Sequence, residues 1–198
     1  MAESSAKSLS GPAHNDSLDC EVLVKRFNQG DGSAFDRIVE GYSADIAALA
    51  TRLLGWPDNV EDIVQDVFLA AFLGLKKFHG QCSLKTWLFT ITINKCRTFR
   101  YKQMLHFKHF QLFAGKVTPF QSKAADETPM ESETFDGVQK AIMALPPKYR
   151  EPIILKYLQE LSTDKIAQIL GISKNVLYVR ISRAKKRLKN DLAELIEE

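Results

Sequence analysis

A chain of 198 residues and 22.4 kDa is long enough to bury a sizeable core, as one large domain or two small ones. Its 45% hydrophobic, 26% charged and 10% aromatic residues exclude collagen-like, mucin-like and coiled-coil chains. A net charge of +3 is too small to indicate a partner by itself, so the placement of the charges carries the information.

In chain order, residues 1–17 are polar and small, without an apolar stretch of signal-peptide length, and are expected to form a disordered leader. Structure is expected to begin near Leu18. Apolar residues then recur at helical spacing: Val22, Val24 and Phe27; Phe35, Ile38, Val39 and Tyr42; Ile46, Leu49, Ala50, Leu53 and Leu54. Asp31 and Ser33 stand where a helix cap belongs, and Gly55-Trp56-Pro57-Asp58 reads as a stop and a new start. A third helix is expected from Val60 to about Phe78 and a fourth from about Leu84 to Tyr101, with Trp87 and Ile91 in the core. Residues 18–103 therefore read as a bundle of about four helices. Residues 104–136, with two prolines and an acidic run, read as a flexible linker. Pro146-Pro147 punctuates helical patterns at 135–145, 150–158, 163–170 and 174 to about 196, and residues 137–198 read as the second domain. No strand-period alternation persists, so the fold class is all-α in two small domains.

Between Val67 and Ala125 there is no Asp or Glu, while Lys85, Lys95, Arg97 and Arg100 are interleaved with Phe78, Trp87, Phe89, Phe99 and Tyr101. A solvated basic face is the bland reading. Cations beside aromatic rings favour a groove for single-stranded nucleic acid, which needs phosphate neutralisation and base stacking together. Immediately upstream, Leu53 to Leu75 contains no Lys or Arg but has Asp58, Glu61, Asp62 and Asp66. Compensation of the helix dipole accounts for Asp58 and Glu61. Asp62, Gln65 and Asp66, at i, i+3 and i+4, instead share one face, with Ile63, Val67 and Ala70 turned inward. That face suits a basic protein surface.

The second half carries helix-turn-helix spacing. Ala167 permits close helix approach, Gly171 takes the tight turn, Ile172 plugs the core and Leu177 anchors the second helix. From Lys174 to Asn190 that helix has seven cations and no acid, as a phosphate-facing surface requires.

Cys20, Cys82 and Cys96 are too scattered for a disulfide framework or a metal knuckle, which fits a reducing compartment. His106 and His109 lack a third ligand nearby, so neither a metal nor another cofactor is expected. No window reaches the length of a membrane span, and the chain reads as cytoplasmic. Without a Gly-rich phosphate loop or a nucleophile–base pair, an enzyme is disfavoured.

The stretch 59–72, followed by Phe78-His79-Gly80 and by 84–94, resembles region 2 of bacterial sigma factors of the extracytoplasmic-function group. Ala144-Leu145-Pro146-Pro147-Lys148-Tyr149-Arg150, then 161–171 and 180–188, is similar to region 4 of the same group. The resemblance implies a promoter-specificity subunit of RNA polymerase with no catalytic chemistry of its own. It implies that Asp62, Gln65 and Asp66 grip the β′ coiled coil of the core enzyme, which is contacted also through its β subunit. It assigns −10 DNA to Phe78, His79, Gly80, Gln81, Cys82, Lys85, Trp87, Asn94, Arg97 and Arg100, with a flipped base held by the loop 78–83. It assigns −35 duplex to Ser173, Lys174, Asn175, Tyr178, Val179, Ser182, Arg183 and Lys186. An anti-sigma factor is a further partner of the kind such proteins have.

Two departures stand out. Ser173 to Val179 replaces the small residues usual before the recognition-helix arginine with bulkier ones, and the linker is long and aromatic. The competing reading is a free-standing helix-turn-helix regulator whose N-terminal bundle senses a ligand. Such a bundle needs neither an acidic docking face nor a basic aromatic groove.

Overall fold

The computed structural model describes residues 15–55, 60–114 and 132–196, and every regular element among them is helical. Helix α1 (Asn15–Asn28) starts three residues before the expected Leu18; the rest of the leader lies outside the described residues. Asp31 joins α1 to α2 (Ser33–Leu54). Its Oδ1 accepts from Ser33 N at 3.0 Å and Ser33 Oγ at 2.7 Å, and its Oδ2 accepts from Arg26 Nε at 2.8 Å. Those bonds, that from the Ser33 hydroxyl foremost, hold the carboxyl below its ordinary range. Gly32 is the N-cap of α2 and has no side chain to cap it, so Asp31, one residue earlier, satisfies Ser33 N, one of the donors that the first helical turn leaves free.

The buried stripe of α2 is Ala34, Ile38, Ile46, Leu49, Ala50, Leu53 and Leu54, at the 3-4 spacing that puts residues on one helix face. Gly55 ends the helix at φ 84°, a left-handed conformation that suits glycine, and donates to Thr51 O at 2.8 Å. Helix α3 (Val60–Gly74) buries Val60, Ile63, Val67, Phe68 and Ala71, and a short 3-10 turn covers Leu75–Lys77. Val22, expected with the apolar stripe of α1, is exposed, while Val24 and Phe27 fill the core.

Helix α4 (Leu84–Ala114) is capped by Ser83, whose Oγ accepts from Thr86 N at 3.2 Å. It continues well past the expected end at Tyr101, because neither Gly nor Pro interrupts the sequence before Gly115. Its core face is Leu84, Leu88, Phe89, Ile93 and Cys96; Trp87 and Ile91, expected there, are half-buried at its edge. Thr92 is fully buried, and its hydroxyl donates to Leu88 O at 2.9 Å, so its burial leaves no donor unpaired.

Helix α5 (Ser132–Ala144) precedes α6 (Pro147–Ile153), with Pro147 in the first turn where its missing N–H costs nothing. A π-helical turn at Ile154–Leu158 follows Pro152. Helices α7 (Thr163–Leu170) and α8 (Lys174–Ile196) meet across Gly171 at φ 64°. Ala167 and Leu177 are buried at the crossing, as their spacing requires, and Ile172 is half-buried against the same core. A second cluster of Leu145, Tyr149, Ile153 and Ala184 joins α6 to α8. The main core runs through both halves, because α7 lies against α4 and adds Ile166, Ile169 and Leu170 to the apolar interior of the bundle.

Candidate nucleic-acid and protein interface

On α3, Asp62, Gln65 and Asp66 are all exposed on one face, opposite the buried Ile63 and Val67. Ala70, expected inside, is only half-buried. Asp66 Oδ2 lies 3.5 Å from Lys95 Nζ of α4, across a cleft of about 400 Å³ floored by Ile63 and Ala70 and flanked by Asn94 and Phe99. The acidic face continues into apolar surface: Leu69 and Leu73 are 59% and 71% exposed. At positions 62, 66, 69 and 73 these residues form a single stripe along the helix. Sequence periodicity misses Leu69 and Leu73, since residues 67–73 are apolar on every side; that excess of apolar residues over one face was the available signal.

The loop after α3 is rooted by Phe78, whose ring lies 5.1 Å from that of Trp87 at 43°. His79, Gly80 and Gln81 project into solvent, with Gly80 at φ 68°, and Cys82 is half-buried. Burial raises the Cys82 thiol above its ordinary range, which suits a packing role over a reactive one. Lys85 Nζ lies 2.6 Å from Asp45 Oδ2 and 5.5 Å from the centre of the Phe89 ring. Phe89, expected among the groove aromatics, is fully buried and so has no face free for a base.

Further along α4 two arginines are engaged within the chain. Arg97 Nε donates to Glu151 Oε1 at 2.8 Å and its Nη2 to Glu151 Oε2 at 2.6 Å, while Nη1 reaches Asn94 Oδ1 at 3.4 Å. The bond to Glu151 raises the guanidinium pKa above its ordinary value. Arg100 Nη1 donates to Leu53 O at 3.3 Å, and burial lowers its pKa. The loop thus meets Trp87 at the start of α4, and Asn94 meets Arg97 further along the same helix, with Arg97 already paired.

Ser173 caps α8, its Oγ accepting from Val176 N at 3.3 Å, and Lys174 is paired with Asp164. Asn175, Tyr178, Val179, Ser182, Arg183 and Lys186 are exposed on α8. A recess of about 380 Å³ between α6 and α8 is lined by Lys148, Tyr149, Asn175, Val176, Val179, Arg180 and Arg183. Arg183 beside Tyr149 holds its phenol below the usual range, and the Tyr149 ring receives Lys148 at 5.2 Å and Arg187 at 5.1 Å. Site reasoning from sequence omitted Lys148, Tyr149 and Arg180. The Pro146–Arg150 motif was the signal that could have included the first two.

The geometry thus comprises an acidic and apolar helix face, an exposed loop beside a basic helix, and a helix-turn-helix with a basic second helix. Among the described residues, no group of three His, Cys, Asp or Glu could hold a metal ion, and no helix is long and apolar enough to cross a membrane. Sigma-70 region 2 matches residues 38–104 and sigma-70 region 4 matches residues 135–188, so the chain belongs to the sigma-70 family. Within that family it is an RNA polymerase sigma factor of the extracytoplasmic-function group. The chain is 31% identical to the ECF RNA polymerase sigma factor SigW of Bacillus subtilis, over 87% of this chain and 96% of that one. It is 29% identical to the ECF RNA polymerase sigma-E factor of Escherichia coli, over 92% and 98% respectively. Among solved structures, CnrH in complex with the cytosolic domain of CnrY superposes with a TM-score of 0.63 at 25% identity, covering 89% of this chain and 98% of that one. The sigma factor RpoE of Bartonella quintana, in complex with the anti-sigma factor NepR, gives 0.62 at 29% identity, covering 80% and 96%. The ligand-sensing regulator is not favoured, since the segment assigned to its sensing bundle matches region 2.

Proposed function

We propose that Asp62, Gln65 and Asp66 dock the chain on the β′ coiled coil of core RNA polymerase, that the loop 78–83 with α4 captures the −10 strand, and that α8 reads the −35 duplex. The observation carrying this division is the segregation of charge. The docking face lies in a segment without cations, and both DNA surfaces lie in segments without acids. Base edges are reached from the start of α8 by Asn175 and Tyr178, while Arg183 and Lys186 neutralise phosphates. In the loop, His79 to Cys82 select the flipped base, Trp87 supports them, and Asn94 with Arg97 follows the backbone.

The domain division we propose is region 2 over 18–103 and region 4 over 137–198, with 104–136 between them although α4 extends into it. The chain supplies no catalytic chemistry and no cofactor; it works in the cytoplasm with core polymerase, promoter DNA and an anti-sigma factor. The test is co-elution of the purified chain with bacterial core polymerase and initiation at a defined start site. Absence of both would overturn the assignment.

A further inference from the structure

The buried ring of Tyr149 stands among four cations. Lys148 and Arg187 lie 5.2 and 5.1 Å from its centre, Arg183 is bonded to its hydroxyl, and Arg180 lines the same recess between α6 and α8. Among the described residues no carboxylate pairs with any of the four. The negative face of the ring offsets part of their mutual repulsion, but it carries no net charge, so the group still lacks an anion. Position on α8 decides which anion that is. Asn175, Tyr178, Ser182 and Lys186 fall on the row assigned to the −35 element. Val176, Arg180, Arg183 and Arg187, at i, i+4, i+7 and i+11, form the adjacent row that turns toward α6. A helix with its side chains is about 10–12 Å across and the major groove about 12 Å wide, so a helix reading bases there has a sugar-phosphate backbone against each flank. The recess lies on one such flank.

We propose that the recess of about 380 Å³ between α6 and α8 is a socket for one backbone phosphate of the −35 duplex, held by Lys148 and Arg180, with Tyr149 as the positioning residue that aims Arg183 at it. Lys148 belongs to α6, so this contact comes from outside the helix-turn-helix and fixes how α8 lies along the groove. Val176 and Val179 supply an apolar wall for the neighbouring deoxyribose. Lys148, Val176 and Arg183 are exposed, so the recess is open to a duplex. An acidic protein segment would meet the same cations; the base-facing row beside the recess favours DNA. The inference rests on the proposed −35 role of α8, but phosphate contacts carry no sequence information, so the two are tested separately.

The test uses the full-length chain as wild type, Lys148→Ala, Arg180→Gln and Tyr149→Phe. Fluorescence anisotropy follows binding to a duplex covering the −35 element of a start site, in which single phosphates are replaced in turn by neutral methylphosphonates. Wild type should lose about tenfold in affinity, or about 1.4 kcal/mol, when the socket's phosphate is replaced. Lys148→Ala and Arg180→Gln should bind the unmodified duplex several-fold more weakly, ignore that one replacement and respond to the others as wild type does. On a mixed-sequence duplex each should lower the salt slope by about one. Tyr149→Phe keeps the ring, and should blunt the response to the same replacement with helical circular dichroism unchanged. Lys148 and Arg180 variants that bind both duplexes and respond to every replacement as wild type does would overturn the socket and leave the recess to an acidic protein partner. A wild type indifferent to scrambling of the −35 element, with the variants' salt slopes still lowered, would strike base reading by α8 alone.

Discussion

The ring of Phe78 leans on that of Trp87 at 5.1 Å, fixing the first residue of an exposed loop to the first turn of α4. Everything from His79 to Cys82 hangs from that contact. Aromatic pairs of this kind contribute about 0.5–1.5 kcal/mol beyond burial.

Phe78→Ala should loosen the loop while leaving co-elution with core unchanged. Exchange of His79-Gly80-Gln81-Cys82 for another loop should alter the preferred −10 base. Transcription from a template already melted over −10 should partly rescue either variant, because unpairing no longer has to be offset by capture of the base. Equal losses on melted and duplex templates, with unchanged base preference, would leave the loop a purely structural part.

Reversal of charge by Asp62→Lys with Asp66→Lys should abolish co-elution with core and leave helical content intact, because both side chains are exposed. Wild-type binding should weaken as salt rises. Leu73→Ser should also reduce co-elution without changing the salt dependence, if the apolar end of the stripe enters the contact. Retention of core binding by the double variant would remove α3 from the docking surface.

On α8, Arg183→Ala and Lys186→Ala should each weaken duplex binding on all sequences and lower the salt slope by about one. Substitutions at Asn175 or Tyr178 should instead change which −35 sequence is preferred, measured by competition among scrambled elements. A −35 element that can be scrambled without loss of transcription would refute base reading by this helix.

Burial, with Glu151 as a nearby negative charge, pushes the Cys96 thiol up to about 12, so it stays protonated throughout the neutral range. Thiolate is the reactive form, and raising the pH from 7 to 9 should not make Cys96 alkylate in the folded chain. Mass spectrometry after iodoacetamide should find Cys96 modified only once the chain is unfolded. Modification of native Cys96 at rates matching a free thiol would contradict its burial.

The helix-turn-helix was legible because its constraints are local. Ala167, Gly171 and Leu177 are fixed by side-chain size and one left-handed turn within eleven residues. The face of α4 was not. Residues 84–93 are apolar on nearly every side, so periodicity could not choose between Trp87 and Phe89 for the core. The state of Arg97 was equally hidden: its partner lies 54 positions away, and a basic segment without acids reads as open surface until the second half folds against it. The acidic face could be read because Asp62, Gln65 and Asp66 fall within little more than one helical turn, where spacing alone decides neighbours.

The uncovered Leu69 and Leu73 also bear on how the chain behaves in the laboratory. Side chains 59% and 71% open to water on adjacent turns give a free molecule a sticky ridge. Concentrated preparations should self-associate through it, and yields should improve when a binding partner is co-expressed. Leu73→Gln would then lengthen storage life while handicapping assembly, a trade in which colloidal stability and the working surface draw on the same few square ångströms.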